Sequence, residues 1–477
     1  MSDPENYESP LASRYASVEM RRLFSSMHRA RLWRRLWIAL AEAEQELGIE
    51  ISDAQLEELR STADEIDLAA VAEHERRLRH DVMAHIHAWG DRAPQGRAIL
   101  HLGATSCFVT DNGDLLILRD ALLRVRDQVV ETIRALASFA ESWRALPTLG
   151  LTHYQPAQAT TVGKRACLWI QDLLHDLEDL EHALTQIRFR GVKGTTGTQA
   201  SFLELFGGDH DKVRELDERV TAKLGFERRF GVTGQTYPRK LDFRVCQVLS
   251  SLAQSAHKFA SDVRLLAGRR ELEEPFEKHQ IGSSAMPWKR NPMRSERICA
   301  LGRFVMANLD NPAQTAAQQW FERTLDDSAN RRLALAEMFL ATDAFMQLQL
   351  NVARGLVVHE AVVTRNLREE LPFLASEVLL MEAVQAGGDR QAVHELLRQH
   401  ARVASESIHR GEPNPLVERI GADPHFEALA PRLASILEPS RFVGRAPEQV
   451  DEFLADEVRP ALERYSDTAA VETEIRV

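Results

Sequence analysis

The chain has 477 residues, 44% apolar and 27% charged, the balance of a globular protein, which excludes disordered, collagenous and disulfide-scaffold classes. Its 59 Lys and Arg against 71 Asp and Glu leave a formal charge of −12, so neither nucleic acid nor an anionic membrane surface is an expected partner. Four cysteines (Cys107, Cys167, Cys246 and Cys299) with no CxxC pair predict neither a metal site nor a disulfide framework, and read as core residues in a reducing compartment.

The N-terminus, MSDPENYESP, lacks the basic and apolar regions of a secretory leader. No run approaches the ~18 apolar residues of a membrane span, so a soluble, cytoplasmic protein is expected. At about 150 residues per domain the length suggests three domains. With 24 Gly and 18 Pro the chain holds fewer breakers than the usual ~7% and ~5%, which allows long helices. Segment 1–105 carries short helical patterns, and the stretch Gly103-Ala104-Thr105-Ser106-Cys107 straddles its end. There the hydroxyls of Thr105 and Ser106 either cap a helix start or hold a carboxylate or phosphate.

Between Gly113 and Pro147 an apolar stripe runs Leu115, Leu118, Leu122, Val125, Val129, Ile133, Leu136, Ala140, Trp143, the alternating three- and four-residue steps of a helix with one buried seam. Two further stripes run from Val162 to Ile187 and from Val245 to Leu266, and a fourth helix is predicted over 331–354 with Gly355 as its C′ residue. Each would be roughly 40–50 Å long and needs neighbours along its whole length. The predicted fold is therefore all-α: an N-terminal helical domain (1–105), a central long-helix bundle shared between subunits (106–358), and a C-terminal helical domain (359–477) broken by prolines.

Two polar stretches interrupt the long helices. Gly150-Leu151-Thr152-His153-Tyr154-Gln155-Pro156 forms the turn between the first two, where a lone histidine is either a surface residue or an acid in search of partners. Gly282-Ser283-Ser284-Ala285-Met286-Pro287-Trp288-Lys289-Arg290-Asn291-Pro292 follows the third. It is either a basic surface loop or a mobile set of hydroxyls with an ammonium and an amide two residues apart.

That last loop resembles the signature G-S-S-x-M-P-x-K-x-N-P of the fumarase/aspartase superfamily, and Thr105-Ser106 and Thr152-His153 fall where the superfamily has its other two signature regions. Within it, the chain resembles the adenylosuccinate lyase family, in its animal-type branch, from Ser9 nearly to the C-terminus. The stretches Arg76–His85, Lys193–Ser201 and Trp320–Arg332 carry that narrower likeness.

The resemblance implies β-elimination of fumarate from adenylosuccinate and from the ribotide SAICAR, without metal or cofactor, in a homotetramer. By resemblance Ser283 is the base and His153 the acid, with Glu296 pairing the histidine and His80 a second catalytic histidine. Lys289 and Asn291 would bind the fumaryl carboxylates, with Thr105, Ser106 and Thr152 as hydroxyl donors. Arg14, Tyr15, Arg323, Ser328 and Arg332 match the phosphate-side residues, and Arg79, His80, Asp81, Gln235 and Arg297 the nucleotide and succinyl contacts. An argininosuccinate lyase shares the loop but needs no phosphate fork, and a non-catalytic structural protein of the same fold would have no need of the acid and base. A helix spanning about 114–146 would also separate Ser106 from His153 by about 50 Å. One substrate can then reach both only if they come from different chains, with Ser283 supplied by a third.

Overall fold

A computed structural model describes residues 5–467, 471–473 and 475. Near the N-terminus a one-turn π-helix, Leu11–Tyr15, precedes α1 (Ser26–Glu46), which starts where the Ser25 hydroxyl accepts the His28 N–H. α2 (Leu68–Leu78) ends at Arg79 in the left-handed region, φ 54°. The next residue, His80, caps α3 (Asp81–Gly90) by accepting the Met83 N–H on its ring.

The bundle begins with α4 (Ser106–Ser142), 37 residues long and therefore about 55 Å from end to end. The chain turns through an antiparallel hairpin, β1 (Pro147–Thr152) and β2 (Gln155–Thr161), and returns along α5 (Val162–Gln186). A connecting region that includes α6 (His210–Lys223) leads to α7 (Lys240–Gly268). β3 (Leu272–Glu273) and the 282–292 loop follow, then α8 (Met293–Ala307), α9 (Asp327–Gly355) and β4 (Val357–Val358), which pairs with β3. α4, α5, α7, α8 and α9 pack in succession, and α9 closes back on α4.

The expected stripes are the core. Leu115, Leu122, Val125, Val129, Ile133 and Leu136 on α4 are fully buried, as are Leu173, Leu177 and Leu180 on α5 and Val245, Leu249, Leu252 and Phe259 on α7. At about 1.5–3 kcal/mol per large aliphatic side chain, these seams dominate the bundle. α4 also buries Leu116, Ala121 and Val130, more than one seam requires, because α1, α5 and α9 surround it.

The fold departs from expectation in three places. α4 starts at Ser106, so Gly113 lies inside the helix, against the Trp33 indole, and Ser106 is helical rather than preceding the helix. Gly355 is the last residue of α9 rather than a left-handed C′ residue; it is glycine because a Cβ there would meet the Pro275 ring at 2.6 Å. The turn expected after α4 is the tip of an antiparallel hairpin, with strands on either side of it.

Toward the C-terminus, Ala375, Leu379, Leu397, Ala404, Ile420, Phe426 and Ile436 form their own apolar cluster. Val450, Leu454 and Val458 join the main core instead. Among the described residues no helix is long and apolar enough to cross a membrane, no group of three or more His, Cys, Asp or Glu is placed to hold a metal ion, and all four cysteines are buried thiols.

Candidate active site

The residues singled out from the sequence fall into three groups within one chain. The first surrounds a cavity of about 500 Å³ at the start of α4, where Arg79, His80, Asp81, Ser106, Gln235, Arg323, Ser328 and Arg332 all contribute to the wall. The left-handed turn at Arg79 reverses the chain between α2 and α3 and so brings three consecutive residues to the cavity. Because the His80 Nδ1 accepts the Met83 N–H at 3.3 Å, its proton sits on Nε2, which faces the Ser106 Oγ at 3.4 Å. Thr105 occupies the N-cap of α4, yet its side chain accepts no cap hydrogen bond, so its hydroxyl is not used in capping.

The two arginines of the proposed phosphate fork are held by carboxylates. Arg323 donates through Nη1 to both oxygens of Asp327, at 3.0 and 3.1 Å, and Arg332 donates to Asp81 at 3.2 Å. Beneath them lies a buried ionic floor that the sequence reading did not assign. Arg239 donates to both Asp111 oxygens at 3.1 Å and through Nε to Asp327 at 2.6 Å. Arg331 donates to Asp242 at 2.7 Å, and the Tyr237 hydroxyl donates to the same carboxylate at 2.6 Å. Burial alone would raise the Asp111 carboxyl, but the guanidiniums of Arg239 and Arg331 hold it below its ordinary value. Asp327 therefore serves both Arg239 below and Arg323 at the cavity wall.

The second group is the hairpin tip. Thr152 pairs with Gln155 across a two-residue loop in which His153 and Tyr154 both have positive φ, 56° and 58°. That is a primed turn, which favours Asn-Gly. A histidine and a tyrosine held left-handed cost about 1–2 kcal/mol each, and such outliers concentrate at functional sites. The turn projects the His153 ring outward, exposed, on a rigid ladder.

The third group gathers around the 282–292 loop. The Ser283 Oγ accepts the backbone N–H groups of Ala285 and Met286 at 3.3 and 3.1 Å. The Asn291 amide donates to the Gly282 carbonyl at 2.9 Å and closes the loop at its base. Gly282 is required there because a Cβ would lie 2.2 Å from the Lys289 carbonyl. Lys289 is exposed, and Glu296 stands exposed in the first turn of α8. One residue further, the Arg297 guanidinium lies over the Tyr15 ring at 5.3 Å. Partial burial, with the Arg14 cation among the further causes, lowers its pKa. Arg14, Tyr15 and Arg297 thus form a cationic corner that does not line the first cavity.

The helix path sets these groups apart. α4 runs away from the Ser106 cavity and α7 runs in the same sense, so the hairpin and the 282–292 loop lie at the opposite end of the bundle, about 55 Å away along α4. The single chain therefore does not bring His153 or Ser283 to the cavity that holds His80, Ser106 and the Arg323–Arg332 fork.

This architecture is that of a superfamily of lyases. The chain superposes on a 3-carboxy-cis,cis-muconate lactonizing enzyme from Pseudomonas putida with a TM-score of 0.81 at 22% identity, covering 96% of this chain and 99% of the other. A fumarate lyase from Mesorhizobium gives 0.79 at 21% identity, covering 95% and 100%. A family model described as Lyase matches residues 24–307, and one described as adenylosuccinate lyase C-terminus matches 372–453. The adenylosuccinate lyase of Saccharomyces cerevisiae is 51% identical over 469 residues, 98% of this chain and 97% of the yeast protein. That of Schistosoma mansoni is 48% identical over 480 residues, the whole of both chains. The chain belongs to the adenylosuccinate lyase family.

Proposed function

We propose that the chain eliminates fumarate from adenylosuccinate, giving AMP, and from SAICAR, giving AICAR, as a cytoplasmic homotetramer in purine nucleotide synthesis. The observation that carries this reading is the cavity in which the Arg323–Ser328–Arg332 fork, Gln235 and the His80–Ser106 pair converge from segments far apart in sequence. Its cations suit a phosphate, which an argininosuccinate does not have.

Ser283 takes the proton from the carbon beside the succinyl carboxylate. A hydroxyl is a weak base, so Ser283 acts from its alkoxide form, its own proton given up to solvent beforehand and the carbon proton restoring the hydroxyl. The two N–H groups aimed at its Oγ stabilise that alkoxide. The electron pair left on carbon spreads into the carboxylate, where Lys289 and Asn291 meet the growing charge. Expulsion of the nitrogen then breaks the C–N bond as His153 delivers a proton to it, with Glu296 supporting the imidazolium. Thr105, Ser106 and Thr152 donate to the succinyl oxygens. Arg14, Tyr15, Arg323, Ser328 and Arg332 hold the phosphate, and Arg79, His80, Asp81, Gln235 and Arg297 hold the rest of the nucleotide. The division at 106 and 358 gives the bundle domain both ends of the site, with the flanking domains as walls.

What supports assembly from several chains is the span of α4, since a nucleotide is far shorter than ~55 Å. Neighbouring antiparallel bundles place one chain's hairpin and another's 282–292 loop beside a third chain's cavity. The test is turnover of adenylosuccinate followed by ultraviolet absorbance. Ser283→Ala is expected to abolish it and Ser284→Ala to leave most of it, with argininosuccinate inert. Near-normal rates from Ser283→Ala would remove the base assignment.

A further inference from the structure

The stretch Lys193–Ser201 takes no part in the chemistry above, yet it borders a second cavity of about 500 Å³ that shares no wall with the first. Short backbone pairing builds its cationic side. Phe189 donates to the Arg228 carbonyl at 3.0 Å and accepts from Phe230 at 2.9 Å, a parallel bridge that matches Phe189 with Arg229. Arg188 then sits opposite Arg228 at the same register, on segments about 4.8 Å apart. Like charges placed directly across a strand pair are unfavourable; the wall also carries the carboxylates Glu227 and Asp217, but among the described residues neither forms an ion pair with Arg188 or Arg228. Arg188 stacks on the Phe230 ring at 5.9 Å, and neither guanidinium has a carboxylate partner among the described residues. The buried carboxylate nearby, Asp217, is already committed: it accepts from the Val192 N–H, from the Lys193 ammonium and from Arg229.

We propose that this cavity binds a compact polyphosphate anion. A chain of net charge −12 places Arg188, Lys193, Arg214, Arg228 and Arg229 around one cavity, and a phosphate offers the paired oxygens that guanidinium forks bind. The rest of the wall sets the class. Leu203 and Val213 are its apolar members, and no Phe, Tyr or Trp lines it, with His210 its one ring; it therefore lacks the broad apolar platform a nucleobase stacks on, whereas the exposed Thr198 hydroxyl adds a neutral donor. Inorganic pyrophosphate and sugar bisphosphates fit that description.

The experiment is isothermal titration of the full-length chain with inorganic pyrophosphate, in wild type, in Arg188→Ser/Arg228→Ser and in Arg323→Leu. Wild type and Arg323→Leu are expected to bind alike, while the double variant binds at least about tenfold more weakly, the loss of charge-assisted bonds. Its turnover of adenylosuccinate should be unchanged. Should the double variant fold poorly, Arg228→Ser alone, at an exposed position, gives the same readout. Absence of binding to wild type, equal binding by the double variant, or loss of binding in Arg323→Leu would overturn the proposal. So would tighter binding of ATP than of pyrophosphate that Arg323→Leu retains and Arg188→Ser/Arg228→Ser loses, since that places a base platform in this cavity.

Discussion

Asp176, in the middle of α5, is a buried carboxyl whose titration should be visible in the stability of the whole bundle. It is 2% exposed. One oxygen accepts the Ser251 hydroxyl at 2.7 Å, and Ser255 also bears on the carboxyl; these hydroxyls offset only part of the cost of burial. Burial, with Asp172 and Asp179 adding repulsion, pushes its pKa from 3.8 up to about 6. The folded chain therefore keeps a proton that the unfolded chain releases. The stabilisation is complete below pH ~4, where both states are protonated, and is lost as pH rises through about 6. At about 1.4 kcal/mol per pH unit the whole effect is about 3 kcal/mol per chain. Asp176→Asn removes the titration while keeping an acceptor for Ser251. It also introduces buried N–H donors, which shift stability by the same amount at every pH. The readout is therefore the change in the variant's advantage with pH. Urea unfolding at fixed protein concentration, at pH 4.5 and 7.5, should show the variant gaining about 2 kcal/mol relative to wild type across that interval. A difference between the two proteins that stays constant with pH would refute the reasoning.

Three further outcomes are expected. If, as proposed, each site draws its two histidines from separate chains, His80→Ala and His153→Ala should each be inactive and should regenerate about a quarter of the sites when unfolded and reassembled as an equal mixture; hybrids as dead as the parents would place both histidines in one chain. Arg323→Leu should weaken AMP binding about tenfold or more by calorimetry without unfolding the protein, since Asp327 keeps its 2.6 Å bond to Arg239; unchanged affinity would return Arg323 to a structural ion pair. Tyr154→Gly should raise stability by about 0.5–1 kcal/mol, the left-handed strain of 1–2 kcal/mol exceeding the extra chain entropy of glycine, and should leave turnover largely intact; a lowered melting temperature would refute the strain.

The sequence alone carried the long helices, because the apolar steps along α4, α5 and α7 are local and each stripe residue needs a partner whatever the neighbouring chain does. It also carried the 282–292 loop, whose Gly, Ser and Pro interrupt that periodicity, and the chemical types gathered at the candidate site. Three things depended on tertiary contact. Gly113 reads as a helix start but tolerates the interior of α4 because Trp33 packs over it. His153-Tyr154 has none of the Asn-Gly signal of a primed turn, and only the β1–β2 ladder holds both residues left-handed. Asp111, Arg239, Asp327 and Arg331 look like solvated charges in sequence, and their burial as one network beneath the cavity follows from α4, α7 and α9 meeting there. Periodicity reports which face of a helix is apolar. Which charged side chains two faces trap between them, and which ends of a 55 Å helix face one substrate, are settled only when the helices pack.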